Sequence, residues 1–238
     1  MNQLAKSLTS SAVIPRPARS AKTQPAESLF ERFAWIYIFC RENIFRDDTN
    51  RIIRRLWQNS EPAAQQFIIE VGCGPGFYAR TLATRYPKTF VLGIDDSQRQ
   101  LQYARVRAIE AGLRNCEFKR GNVLNLDQED NSFDVVIASR LFTVLPERSR
   151  AVAEMFRVLN PGGKCFVAEP RFAFSASIPL LAMRLLARMS GYIDEYREPT
   201  KAMTLKFDDF RALLETRPWA RLETWRAGRY QYALCEKG

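Results

Sequence analysis

Phe67-Ile68-Ile69-Glu70-Val71-Gly72-Cys73-Gly74-Pro75-Gly76-Phe77-Tyr78 is the stretch that decides the fold of this chain. A short apolar run carries an acidic residue near its end, turns through three glycines in five positions and continues into a helix-forming segment. That is the pattern of a strand, a ligand loop and a helix start. The glycines serve tight turning, close approach of backbone to ligand, and positive φ at little steric cost. A dinucleotide fingerprint puts its third glycine one residue later, where Phe77 stands; so bulky a residue argues against a pyrophosphate on the helix N-terminus. Glu70 places a carboxylate at the edge where open α/β sheets bind ligands, and suits a cationic or hydroxyl-rich ligand better than a phosphate. The plainer alternative is a strand-turn-helix connection whose glycines only turn the chain.

A second strand reads from Thr89 to Ile94 and ends at Asp95-Asp96. Asp95 lies nineteen residues beyond Gly76, where a nucleotide-binding sheet holds the carboxylate that accepts from ribose hydroxyls. Ser97 and Gln100 read as a capping box opening a helix through Leu101, Ala104, Ala108 and Ala111, with Gly112 as its stop. Cys116-Glu117-Phe118 is the third strand, followed by Asn122-Val123. Asn131-Ser132-Phe133-Asp134 is a turn feeding the continuous apolar run Val135–Ala138, of the kind parallel sheets bury on both faces. Ser139-Arg140-Leu141 then falls at the carboxyl edge of that sheet.

These motifs, in this order, resemble the class I S-adenosylmethionine (SAM)-dependent methyltransferases. The glycine turn is similar to their motif I, Asn131-Ser132-Phe133-Asp134 to the entry of their fourth strand, and Leu159-Asn160-Pro161-Gly162-Gly163 to their Leu-x-Pro-Gly-Gly turn before strand five, here Lys164–Ala168. The resemblance covers roughly Phe67 to Lys237. It implies an α/β, Rossmann-like fold: a seven-stranded, mostly parallel sheet with helices on both faces, closed by an antiparallel hairpin of Arg221–Arg226 and Tyr230–Cys235 around Gly228.

The resemblance also implies SAM as cofactor. Glu70 faces its methionine end; Gly72, Cys73, Gly74 and Gly76 line it; Asp95, with Asp96 beside it, takes the ribose; Asn122 and Val123 take the adenine. Members usually carry Asp where Asn122 stands, but an amide oxygen also accepts from the adenine amino group. Ser139, Arg140 and Leu141 fall near the methyl group. Methyl transfer of this kind depends mainly on positioning. Where the acceptor must lose a proton, Glu169, Asp96 and Tyr78 are the candidates, with Arg140 alongside. The layout is similar to the branch containing ubiquinone and menaquinone methyltransferases, which implies a small, partly hydrophobic or lipid-like acceptor.

The 238 residues, 46% hydrophobic, suffice for one full core. We expect residues 61–238 to form one catalytic domain, preceded by helices over 27–60 and a disordered basic segment over 1–26. That segment holds Lys6, Arg16, Arg19 and Lys22 and no acidic residue; a transit peptide is its alternative reading. The net charge of +10 implies an anionic partner: a membrane surface, nucleic acid or an acidic substrate. Five scattered cysteines and no histidine argue for reduced thiols in a cytoplasmic protein, without metal sites or histidine triads.

Two helices are expected between Ser28 and Trp57, the first carrying Phe30, Phe33, Ala34, Tyr37 and Ile38 at helical spacing. They either pad the sheet or form a lid over substrate. An apolar helical insertion at about 171–203 puts Ile178, Leu181, Ala182, Leu185, Leu186 and Met189 along one face, though Leu180, Met183 and Ala187 spread apolar character round most of the helix. Core packing is the default; covering an apolar pocket, or lying in a lipid interface as a peripheral membrane contact, are the alternatives. Nucleic acid is the rival acceptor. After strand four the chain reads Ala-Ser-Arg-Leu-Phe, without the Asn/Asp-Pro-Pro-aromatic segment of base-amino methylating enzymes, and it has no Pro-Cys pair. A SAM-fold binding protein without catalysis is the remaining alternative.

Overall fold

The structure, a computed structural model, describes residues 28–58, 61–62, 65–191 and 196–238. The basic segment expected over 1–26 lies outside the described residues. Seven strands form one sheet in the order β3-β2-β1-β4-β5-β7-β6. Their ranges are β1 Phe67–Val71, β2 Phe90–Asp95, β3 Cys116–Arg120, β4 Phe133–Ser139, β5 Leu159–Pro170, β6 Trp219–Ala227 and β7 Tyr230–Lys237. β1 to β5 run parallel; β7 pairs antiparallel with both β5 and β6.

The central strands are apolar on both faces because both faces are covered. Ile68, Ile69, Val71, Val136 and Ile137 are all buried, and alternate residues join two separate clusters on opposite sides of the sheet. From β1 the chain winds outward through β2 to β3, then returns to place β4 on the other side of β1. The direction of winding reverses there, and open α/β sheets bind ligands outside the carboxyl ends of their strands at such a reversal.

Eight helices complete the described residues: α1 Leu29–Arg32, α2 Ala34–Asn43, α3 Thr49–Trp57, α4 Phe77–Arg85, α5 Gln98–Glu110, α6 Arg148–Val158, α7 Ala173–Met189 and α8 Phe207–Leu214. Where two helices are expected before β1, there are three, because the first breaks at Phe33, whose φ of −115° and ψ of 36° leave the helical region. β5 starts earlier than expected. Leu159 already pairs with Phe133, and the Pro161-Gly162-Gly163 turn becomes a bend within a longer strand, with a register shift before Val135. At α5, Ser97 Oγ accepts from the Gln100 N–H at 3.3 Å, so half of the expected capping box forms.

The face of α7 is corrected. Ala176, Leu180, Met183 and Ala187 are buried against Leu29, Ile36 and Cys40 of α1 and α2; of the expected face Ala182 and Leu186 pack on the edge of that cluster, whereas Ile178, Leu181, Leu185 and Met189 are exposed. A helix apolar around most of its circumference does not announce its inner side, and here small alanines let α7 approach the preceding helices.

Gly76, at the start of α4, has φ +70°, and a β-carbon there would stand 2.3 Å from the Phe118 ring. Gly112, at φ +66°, has open space around it. Gly76→Ala is expected to lower unfolding stability by about 2–4 kcal/mol, strain plus overpacking, against about 1–2 kcal/mol for Gly112→Ala, strain alone. Urea unfolding of the two variants checks the difference; equal losses would contradict the packing assigned to Gly76.

Candidate functional site

The turn after β1 is held by the tip of β2. Asp95 Oδ2 accepts from the Gly74 N–H at 2.8 Å and Oδ1 from the Ser97 N–H at 2.9 Å, so one carboxylate joins the glycine turn to the start of α5. Burial pushes the Asp95 carboxyl above its ordinary range, and those two N–H donors oppose the shift. A carboxylate offers about four lone-pair directions, so each oxygen retains acceptor capacity for a ligand. Gly72 and Gly74 both have positive φ. A β-carbon on Gly72 would come within 2.8 Å of Leu141, and one on Gly74 within 2.9 Å of Gln100 Oε1.

These groups border a cavity of about 590 Å³ at the carboxyl edge of the sheet. Gly72, Gly74, Asp95, Asp96, Asn122, Val123 and Arg140 of the expected site all line it. Leu124, Leu145 and Pro146 add apolar wall beside Val123. Asn122 Oδ1 accepts from the Leu124 N–H at 2.9 Å, which leaves that oxygen one lone pair and frees the amide donors. The residues fit an adenosyl cofactor on three observations: a turn with no room for a β-carbon at Gly72 or Gly74, a carboxylate with spare acceptor sites, and a buried Gln100 Oε1 with no partner. Asp95 and Asn122 would hold its polar atoms and the apolar wall its ring.

The opposite wall comes from the helices that precede β1 and follow β5. Phe30 and Tyr37 from α1 and α2, and Ala176, Pro179 and Leu180 from α7, reach the cavity. Glu198 fastens them, accepting from Ser28 Oγ at 2.6 Å and from the Leu29 N–H at 2.9 Å. Arg197 pairs with Asp96 across the rim at 3.0 Å. Arg80 of α4 pairs with Glu42 of α2. Arg140 has φ +59°, a left-handed conformation uncommon outside glycine, and is fixed there by Tyr230 OH at 2.9 Å and by the Phe45 ring at 3.8 Å from its guanidinium carbon.

Sequence reasoning missed Tyr37, Gln100 and the Arg197-Glu198 pair. Tyr37 reads as one aromatic among several on a helix, and Gln100 as a capping residue. Arg197 and Glu198 sit in a segment without periodicity. A tyrosine in an apolar stripe is the one signal that could have drawn attention. Its hydroxyl is pushed above the ordinary range by burial, partly offset by Arg140 and Arg41.

Glu70, Cys73, Gly76, Tyr78, Ser139 and Glu169 are not among the residues lining the cavity. Glu70 Oε2 accepts from the Ala79 N–H at 2.8 Å and so anchors the first turn of α4. Gly76 packs on Phe118. Cys73 is buried beneath the turn. The Tyr78 hydroxyl lies under α3, accepting from the Asp48 N–H at 3.3 Å. Glu169 Oε1 accepts from the Phe142 N–H at 2.9 Å and holds the loop after β4.

Burial pushes the Glu169 carboxyl up to about 7, against the Phe142 N–H and Arg140, which favour its charge. A carboxyl raised in the folded state stabilises fully below its unfolded value, and that contribution is lost as pH rises through about 7. Glu169→Gln keeps the acceptor and removes the titration. It is expected to match the native chain near pH 4.5 and to exceed its stability at pH 8 by on the order of 2–3 kcal/mol. Urea midpoints at the two pH values check this; parallel pH profiles would contradict it.

Comparison with known proteins agrees with this architecture. The model of the methyltransferase domain family matches residues 68–163. "Methyltransferase GfsG" of Streptomyces halstedii is 33% identical over 120 residues, 50% of this chain and 43% of that protein. "Demethylmenaquinone methyltransferase" of Listeria monocytogenes is 35% identical over 98 residues, 41% of each. The match thus spans less than half the length of these curated relatives. A putative SAM-dependent methyltransferase structure from Methanococcus maripaludis superposes with TM-score 0.66 at 17% identity, covering 90% of this chain and 96% of that one. Phosphoethanolamine N-methyltransferase 2 of Haemonchus contortus, solved with SAM, gives TM-score 0.65 at 14% identity, over 86% and 56%. The matched segment carries the glycine turn and is similar to the methyltransferase domain family, and the solved structures share the fold of this chain.

Proposed function

We propose that this chain transfers a methyl group from SAM to a small, partly hydrophobic or lipid-like acceptor. The observation that carries the reading is the mixed wall of the cavity, with Asp95 and the glycine turn on the sheet and Phe30, Val144, Ala176, Pro179 and Leu180 from the covering elements. When bound, the cofactor supplies an activated methyl group on a sulfonium, so the residues need only position and desolvate. Gly72 and Gly74 admit the donor, Asp95 accepts from its hydroxyls, and the helical cover excludes water. Arg140 and Tyr37 are the polar groups best placed to orient an acceptor oxygen. A buried, raised phenol stays protonated near neutral pH and donates a hydrogen bond. Glu169 and Tyr78 are assigned to holding the surrounding loops.

A similar protein named for demethylmenaquinone supports an acceptor with an apolar part. The rival, nucleic acid, draws support from a cleft bordered by Arg51, Arg54, Arg55, Lys164 and Arg221. That cleft shares no lining residue with the cavity, and charge there does not bring a base to the methyl donor.

Incubation with methyl-labelled SAM and either a lipid and quinone extract or total RNA tests the proposal. Label is expected in the organic fraction, falling about tenfold or more with Tyr37→Phe. Label in RNA would favour the rival, and cofactor binding without label in either would favour a non-catalytic binding protein.

A further inference from the structure

Helix α7 is apolar on two sides. Ala176 and Leu180 are buried, and with Pro179 they line the cavity. On the other side Phe174, Ile178, Leu181, Leu185 and Met189 are 80%, 49%, 44%, 60% and 73% exposed. Spaced by three and four residues, those five form one stripe along the 17-residue helix. Single exposed apolar side chains are ordinary; a continuous stripe of large ones marks a contact surface. α2, which packs beside α7, exposes Trp35 and Phe39 as well.

Charge selects the partner. From Arg171 to Gly191 the chain has three arginines, Arg171, Arg184 and Arg188, and no acidic residue. The whole sequence carries +10. Arg188 is exposed at the end of the stripe, while Arg184 and Arg171 also donate to the Glu198 and Gly228 carbonyls; an apolar stripe with only cationic side chains beside it suits an interface where acyl chains meet anionic headgroups. Among the described residues no helix is long and apolar enough to cross a membrane, so the fitting geometry is a helix lying along the surface.

We propose that the outer stripe of α7 docks on the surface of an anionic phospholipid bilayer. The proposal extends the lipid-like acceptor reading: the helix that contacts lipid with one side closes the cavity with the other, so an acceptor leaving the bilayer has one helix to pass.

The test is co-sedimentation of the full chain with vesicles of phosphatidylcholine alone and with roughly 30% phosphatidylglycerol added. The variant Ile178→Ser/Leu181→Ser/Leu185→Ser is run in parallel, with S-adenosylhomocysteine calorimetry on both proteins. The native chain is expected to bind the anionic vesicles about tenfold more tightly than the neutral ones, and the variant to lose about tenfold or more while keeping its cofactor affinity. Native protein left in the supernatant, or a variant that sediments as well as the native chain, overturns the proposal. So does a native dimer, seen by sedimentation velocity without lipid, that the variant dissolves, because the stripe would then join two copies of this chain. Vesicle docking without methylation of the lipid extract sustains the surface and removes the acceptor reading; methylation without docking removes the surface alone.

Discussion

One carboxylate sets the geometry on which the site depends. Asp95, at the last position of β2, accepts one N–H from the glycine turn and one from the start of α5. Those bonds fix the loop after β1 relative to the neighbouring strand, at the reversal of strand order where the sheet leaves a crevice. Both donors are backbone groups, so the constraint is met by main-chain geometry, and it leaves acceptor capacity on the carboxylate facing the cavity. Gly72 and Gly74 keep side chains out of the same space. At the glycine turn the ligand edge is thus made of backbone, two absent side chains and one acid.

The cover is built differently. Its buried interior is the apolar cluster of α1, α2 and α7, tied internally by Glu198 to Ser28 and Leu29, while Arg197 to Asp96 and Arg80 to Glu42 link it to the tip of β2 and to α4. Arg197 and Asp96 are each about half exposed, 50% and 51%. Exposed pairs of this kind contribute about 0–1 kcal/mol, so this rim contact adds little beside the buried contacts of Arg41 with the Phe77 and Tyr78 rings. A sheet edge beneath a helical cover with an exposed ion pair at its rim suits a site that must admit two molecules and then exclude water.

The parts of the fold legible in sequence were those fixed by local rules. The apolar run into Gly72-Cys73-Gly74-Pro75-Gly76, the carboxylate after β2, the Ser97 cap and the Gly112 stop each follow from backbone requirements a few residues long. What stayed hidden depends on which groups meet across the chain. Glu70 and Glu169 read as ligand-edge carboxylates, yet neither lines the cavity: one oxygen of each accepts from a backbone N–H, of Ala79 and of Phe142, away from it. Gln100 reads as a cap, yet its side chain faces Gly74. The inner side of α7 was unreadable because Leu180 and Leu181 are chemically equal, and only the neighbours in α1 and α2 distinguish them.

The direct measurement of the central claim is calorimetric affinity for S-adenosylhomocysteine in the native chain and in Asp95→Ala, with thermal unfolding confirming that both are folded. If Asp95 both braces the turn and receives ligand hydroxyls, affinity falls roughly a hundredfold, the loss of two hydrogen bonds to a charged acceptor. Affinities within about twofold of each other in two folded proteins, less than the loss of one such bond, would contradict the account.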